Sequence, residues 1–154
     1  MPSQDEHWMR LALDEARLAL EHGDVPVGAV AVRAGALIGR GHNRREIDGD
    51  PTAHAEMIAL RQAAAVVGGW KLDGVTLYCT LEPCCMCAGA MVQAKLPRLV
   101  YAALDVQAGC AGSVFDVLRS PRLSHRVDVD IGPFAEEAAA LLLTFFDGLR
   151  GDSR

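Results

Sequence analysis

The chain has 154 residues, 51% of them apolar and 23% charged, with a formal net charge of −5. That length suits one domain burying roughly 70% of its unfolded surface, and the acidic balance excludes a protein coated in phosphate-binding groups while leaving room for a local basic face. No apolar run approaches the ~18 residues of a membrane span, and residues 1–6 lack the basic start of a secretory signal, so a cytoplasmic protein is expected.

Ser3-Gln4-Asp5-Glu6 reads as a capping box. Trp8, Leu11, Ala12, Ala16 and Ala19 then recur at helical spacing, with Gly23 as the stop. Residues 27–33 predict a strand, Ala34-Gly35 a tight turn and 36–40 the hairpin partner. A polar loop over 41–51 follows, then a helix from 53 to about 67, capped by Thr52 and ended by Gly68-Gly69. Next come a strand over 75–80, a helix from 84 to about 94, a short strand over 99–102 and a short helix over 113–118. Residues 126–131 alternate, with Val127, Val129 and Ile131 expected to face inward. Pro133 suits the first turn of a last helix, whose Phe134, Ala138, Leu141, Leu142, Phe145 and Leu149 make one apolar face. A hairpin followed by strand-helix-strand units predicts a single three-layer α/β/α domain over residues 1–154, with a mixed five-stranded sheet covered by helices on both faces. There is no repeat, linker or low-complexity tract to divide it.

The chemistry concentrates in His54-Ala55-Glu56 and Thr80-Leu81-Glu82-Pro83-Cys84-Cys85-Met86-Cys87. Cys84 and Cys87 lie three apart at the start of a helix, on one side of it, where the positive helix end favours thiolate. With His54 they make three ligands suited to zinc, leaving a fourth position open for water, whose pKa a zinc ion lowers toward about 7. Glu56, two residues after the histidine, is placed to carry protons for that water. Five cysteines, three of them within 84–87, favour metal binding over cross-linking. Cys85 points away from the other two, and Cys79 and Cys110 are expected to be small buried apolar residues. The order H-x-E, then P-C-x-x-C, is the signature of zinc deaminases.

On those motifs the chain resembles the cytidine and deoxycytidylate deaminase superfamily, and within it the bacterial tRNA-specific adenosine deaminases. Further matching stretches are Val25-Pro26-Val27-Gly28-Ala29, Gly41-His42-Asn43-Arg44, Asp50-Pro51-Thr52-Ala53, residues 109–113 and His125-Arg126-Val127, so that nearly the whole chain is covered. The resemblance implies a cytidine deaminase-like fold and a homodimer converting adenosine to inosine at the wobble position of a tRNA anticodon. It implies one zinc ion per subunit on His54, Cys84 and Cys87, Glu56 as the catalytic proton shuttle, and Asn43 with the backbone of Ala55 holding the purine. A loop base must be splayed out of the anticodon stem-loop to enter such a pocket. Arg44, Arg45, Arg119, Arg122, His125 and Arg126 are the candidates for its phosphates. Gln107 stands where family members often carry a lysine, the chain ends at Arg154 without a basic tail, and Cys85 and Cys110 replace residues more often aliphatic or small. Two competing readings are a deaminase of a free base or nucleoside, such as guanine deaminase, and a zinc-stabilised binding module without turnover.

Overall fold

The computed structural model describes residues 3–152; Met1, Pro2 and Arg154, and with Arg154 the question of a basic tail, lie outside them. Helix α1 (Gln4–Leu20) starts where the capping box places it, with the Glu6 N–H donating to Ser3 Oγ at 3.2 Å. Strands β1 (Gly28–Arg33) and β2 (Ala36–His42) form the expected hairpin. Both turn residues, Ala34 and Gly35, have positive φ (51° and 75°), the twist a two-residue hairpin requires. The loop after it holds a single helical turn, α2 (Arg45–Asp48), then α3 (Ala55–Val67). Next come β3 (Val75–Leu81), α4 (Cys85–Gln93), β4 (Arg98–Ala103), β5 (Asp128–Ile131) and α5 (Ala135–Asp152).

The sheet order is β2-β1-β3-β4-β5, antiparallel across β2, β1 and β3 and parallel from β3 to β5. Strand alternation sorts the two cores. Ala29, Ala31, Leu77, Cys79, Leu99 and Tyr101 pack with Ala55, Ala59, Cys87 and Met91 of α3 and α4. Val30, Val32, Tyr78, Val100 and Ala102 pack on the other face with Met9, Ala12 and Leu13 of α1 and Ala138 of α5. Because the central strands are covered on both faces, the expected α/β/α layering is what these residues build.

Four local expectations are corrected. Thr52 does not cap α3; its N–H and hydroxyl are both held by Asp50 Oδ1 at 2.8 Å, and the helix opens two residues later with His54 as N-cap. Residues 113–118 form no helix. The Ser113 N–H and hydroxyl are taken by Glu82, and an isolated antiparallel bridge between Ala111 and Asp116 folds the segment into turns. Ile131 is 66% exposed, at the far end of the edge strand, so the inward alternation stops at Val129. Pro133 stays outside α5, because Phe134 takes φ 70° and the helix begins after it. The apolar face of α5 buries Ala138 and half-buries Leu141, Leu142 and Phe145, but leaves Leu149 half exposed.

Candidate metal centre and pocket

The parallel strands β3 and β4 end at Leu81 and Ala103, and the site lies beyond those carboxyl ends, where open α/β sheets place their ligands. Both motifs arrive there as helix caps: His54 is the N-cap of α3 and Cys84 the N-cap of α4. Close packing sets this arrangement. β2 runs under α3 so tightly that a Cβ on Gly41 would lie 2.6 Å from the Ala55 carbonyl oxygen and 2.8 Å from Ile58 Cβ. The first turn of α3 therefore has one seat on the sheet.

His54 Nδ1 lies 3.5 Å from Cys84 Sγ and 3.5 Å from Cys87 Sγ. A tetrahedral ion with Zn–N of about 2.05 Å and Zn–S of about 2.3 Å would set each N···S separation at roughly 3.5–3.6 Å, so the donor spacing and chemistry fit zinc. These three residues are, among the described residues, the one group of histidine, cysteine and carboxylate side chains close enough to share a cation. The hydrogen bond from Cys87, followed by that from His54, holds Cys84 down to about 3, so it is a thiolate at neutral pH. Cys87 is correspondingly pushed up by the same shared proton and by burial. The bond to Cys84 raises His54. One proton thus serves the thiol pair, a proton that a cation would displace.

Glu56 follows in the first turn of α3, 3% exposed, and its Oε1 is buried without a hydrogen-bond partner. Burial raises its pKa above the ordinary carboxylate value. An orphaned, buried carboxylate oxygen beside three ligand atoms is costly unless something fills the space it faces. Glu56, His54 and Cys84 floor a pocket of about 390 Å³, with Cys87 buried behind them.

The walls come from four parts of the chain. Asn43, Arg45 and Ala55 form one side, Val25 and Val27 the sheet side, residues 104–108 a third, and Leu142 with Phe146 of α5 a fourth. Asn43 is 8% exposed, and its Oδ1 accepts the Arg45 N–H at 3.2 Å, leaving its NH₂ as a donor toward the pocket. The mouth is apolar: Leu104, Val106 and Phe146 are 57%, 76% and 43% exposed.

Of the six cations read from the sequence, only Arg45 reaches this pocket. Arg44 is held by Asp48 through two bonds of 3.0 Å. Arg119 is bound to Asp116 and to the Ala111 carbonyl, and His125 shares a 2.7 Å bond with the Leu96 carbonyl oxygen. Arg126 joins Arg98 and Arg119 in a different cavity beside β5.

Sequence reasoning passed over three contributors. Asp24, 1% exposed, accepts the N–H groups of Glu46 and Ile47 at 2.7 and 3.2 Å and so anchors α2 beside Arg45. Glu82, 2% exposed, binds the loop that forms the third wall. Leu142, read as part of the apolar face of the last helix, and Phe146, given no role, both line the pocket. For Glu82 the available signal was a charge set between Leu81 and Pro83; Asp24, directly after Gly23, carried no such signal. Cys110 is corrected as well: it is bonded to Cys85, with a Cα–Cα separation of 5.2 Å, so the cysteines divide between metal binding and cross-linking.

A family model for the cytidine and deoxycytidylate deaminase zinc-binding region matches residues 2–103. A tRNA-specific adenosine deaminase of Bacillus subtilis is 44% identical over 148 residues, 96% of this chain and 92% of that one. A structure from work on A-to-I editing by tRNA:A34 deaminases at the wobble position aligns with a TM-score of 0.85 at 43% identity, covering 88% of this chain and 99% of the other. A guanine deaminase from Nitrosomonas europaea aligns with a TM-score of 0.76 at 26% identity, covering 94% and 85%.

Proposed function

The chain belongs to the cytidine and deoxycytidylate deaminase family, and we propose that it hydrolyses adenosine to inosine at the wobble position of a tRNA anticodon. The observation that carries this reading is the pocket floor, where three metal-ligand atoms and an unpartnered carboxylate oxygen meet beneath an open apolar mouth. Relatives that act on tRNA share more than 40% of the residues across nearly the full chain, which favours adenosine in an anticodon over a free base.

His54, Cys84 and Cys87 hold one zinc ion per chain. When bound, the ion supplies Lewis acidity that makes water a usable nucleophile near neutral pH. Glu56 does the proton work: it takes a proton from the attacking water, delivers one to a ring nitrogen, and later protonates the amine that leaves as ammonia. Water in and ammonia out converts adenosine to inosine. The Asn43 amide donates to the purine, and the first backbone N–H of α3, at Ala55, is a second donor that no helical bond consumes. The base reaches them only when splayed from its loop, and Leu104, Val106 and Phe146 offer apolar surface to its neighbours at the mouth.

Residues 1–154 act as a single zinc-dependent deaminase domain in the cytoplasm, where the tRNA is, and pair as a homodimer. Support for pairing comes from a cavity of about 500 Å³ between α3 and α4, lined by Met57, Leu60, Ala64, Trp70 and Leu72, with Trp70 66% exposed. No helix of the described residues is long and apolar enough to cross a membrane.

The test is inosine formation on an anticodon stem-loop carrying wobble adenosine, run beside free guanine, adenosine and cytidine. Turnover of the stem-loop with inert free compounds is expected. Turnover of guanine with an inert stem-loop would select the guanine deaminase reading, for which the structural likeness to the Nitrosomonas enzyme is the supporting observation.

A further inference from the structure

The two ends of the third pocket wall converge on one buried side chain. Glu82 is the residue directly after β3 and is 2% exposed. Its Oε1 accepts the Asp105 N–H at 3.0 Å and the Ser113 hydroxyl at 2.5 Å; its Oε2 accepts the N–H groups of Ala111 and Ser113 at 3.0 and 3.1 Å. Four donors from positions 105 to 113 thus close that segment onto a single carboxylate. Within the loop, the Asp105 side chain accepts from the N–H groups of Gln107 and Ala108, both at 3.1 Å, and its carbonyl from Gly109 N–H at 2.9 Å. The segment rests directly on the carboxylate: a Cβ on Gly109 would lie 2.3 Å from Glu82 Cδ.

The far end of the loop has other anchors, the Cys85–Cys110 disulfide and a 2.8 Å bond from Cys110 N–H to the Pro83 carbonyl. At the near end the last backbone tie is the 2.8 Å bond from the Glu82 N–H to the Ala103 carbonyl, where β4 ends. Among the described residues, the Asp105 N–H is fixed to the rest of the fold by Glu82 alone. Residues 104 to 108, which line the pocket, hang from that near end.

The geometry points to Glu82 as the positioning residue for substrate, setting the wall formed by Leu104, Val106, Gln107 and Ala108 at its working distance from the metal-ligand floor. This assignment rests on the base-binding pocket proposed above. Glu82 precedes the ligand Cys84 by two residues, so one short motif fixes both the metal and the wall that faces the bound base. Glu82 itself borders the pocket, but both of its oxygens are committed to the loop, so it acts through the loop and takes no part in the chemistry. Substituting glutamine leaves one carbonyl oxygen among four donors and turns an NH₂ toward backbone N–H groups that then lack an acceptor.

The experiment compares steady-state kinetics of zinc-loaded Glu82→Gln and Ser113→Ala with the unaltered protein on the anticodon stem-loop, with zinc content measured on each sample. Glu82→Gln is expected to raise KM roughly tenfold and leave kcat within about threefold, at unchanged zinc content, since a lost charged hydrogen bond corresponds to about that factor. Ser113→Ala removes one of the four donors at an exposed residue and should raise KM about threefold in the same sense. A purely structural carboxylate would lower the active fraction, and with it apparent kcat, at constant KM; that pattern overturns the assignment, as does a KM within twofold of the unaltered value in both variants. Should Glu82→Gln fail to fold, Ser113→Ala decides by the same criterion. If the unaltered protein turns over guanine and not the stem-loop, the proposed substrate is wrong, and the KM for guanine in the two variants tests the wall by itself.

Discussion

Glu56 shows how position sets chemistry at the scale of one residue. On the surface it would be an ordinary first-turn carboxylate complementing the helix dipole. Here burial raises its pKa, and one oxygen has no partner. A carboxylate that holds a proton more readily, with an unpartnered oxygen, has the properties the proposed proton shuttle needs. Glu56→Ala is expected to retain zinc and fold while deamination falls by at least about 10²–10⁴. Product formation per zinc reads this directly, and a variant with full activity removes Glu56 from the mechanism. Arg45 and Arg44 are separated by the same kind of reasoning. Asp48 already neutralises Arg44, whereas Arg45 lies at the pocket with no ion pair among the described residues. Arg45→Ala should therefore reduce the slope of log affinity against log salt for tRNA by about one, and Arg44→Ala by clearly less. Equal slopes for the two variants would refute the distinction.

At the scale of elements, the site depends on helices seated without slack. Gly41→Ala drives a methyl against the Ala55 carbonyl, which begins α3 one residue after His54. We expect it to cost about 1–3 kcal/mol and to weaken zinc binding, seen as a larger loss in denaturation midpoint for the zinc-loaded protein than for the chelated one. An unchanged midpoint would show that the helix can shift freely. The same element accounts for what the sequence disclosed. His54, Cys84 and Cys87 were legible because their signal is local: spacing within one helical turn and a helix start nearby. The order of strands was legible because apolar alternation is also local. The turns of 113–118 and the Cys85–Cys110 bond were not, since Glu82 and Cys85 are brought to them only by the fold, from 31 and 25 residues away. The cap of α3 was misplaced because nearby Asp50 takes the Thr52 N–H and hydroxyl. Three reactive thiols are expected before reduction in denatured, metal-free protein, from Cys79, Cys84 and Cys87, and five after reduction. Five before reduction would contradict the bond.

At the scale of the molecule, the helices cover both faces of the sheet, and the two motifs meet beyond the carboxyl ends of β3 and β4. Two buried carboxylates, Asp24 and Glu82, hold the backbone of segments beside the pocket, Asp24 that of α2 and Glu82 that of residues 105–113. Net charge contributes little to this design, because at −5 the molecule as a whole repels a polyanion and recognition must be local. What separates a catalytic centre from a structural one here is a cation gripped by three side chains and no more. X-ray absorption at the zinc edge of the loaded protein, with elemental analysis for one zinc per chain, tests it most directly. Two sulfur scatterers at about 2.3 Å with lighter atoms near 2.0–2.1 Å are expected; three or four sulfurs, with Cys79 or Cys85 drawn in, would mean a closed structural site and contradict the account.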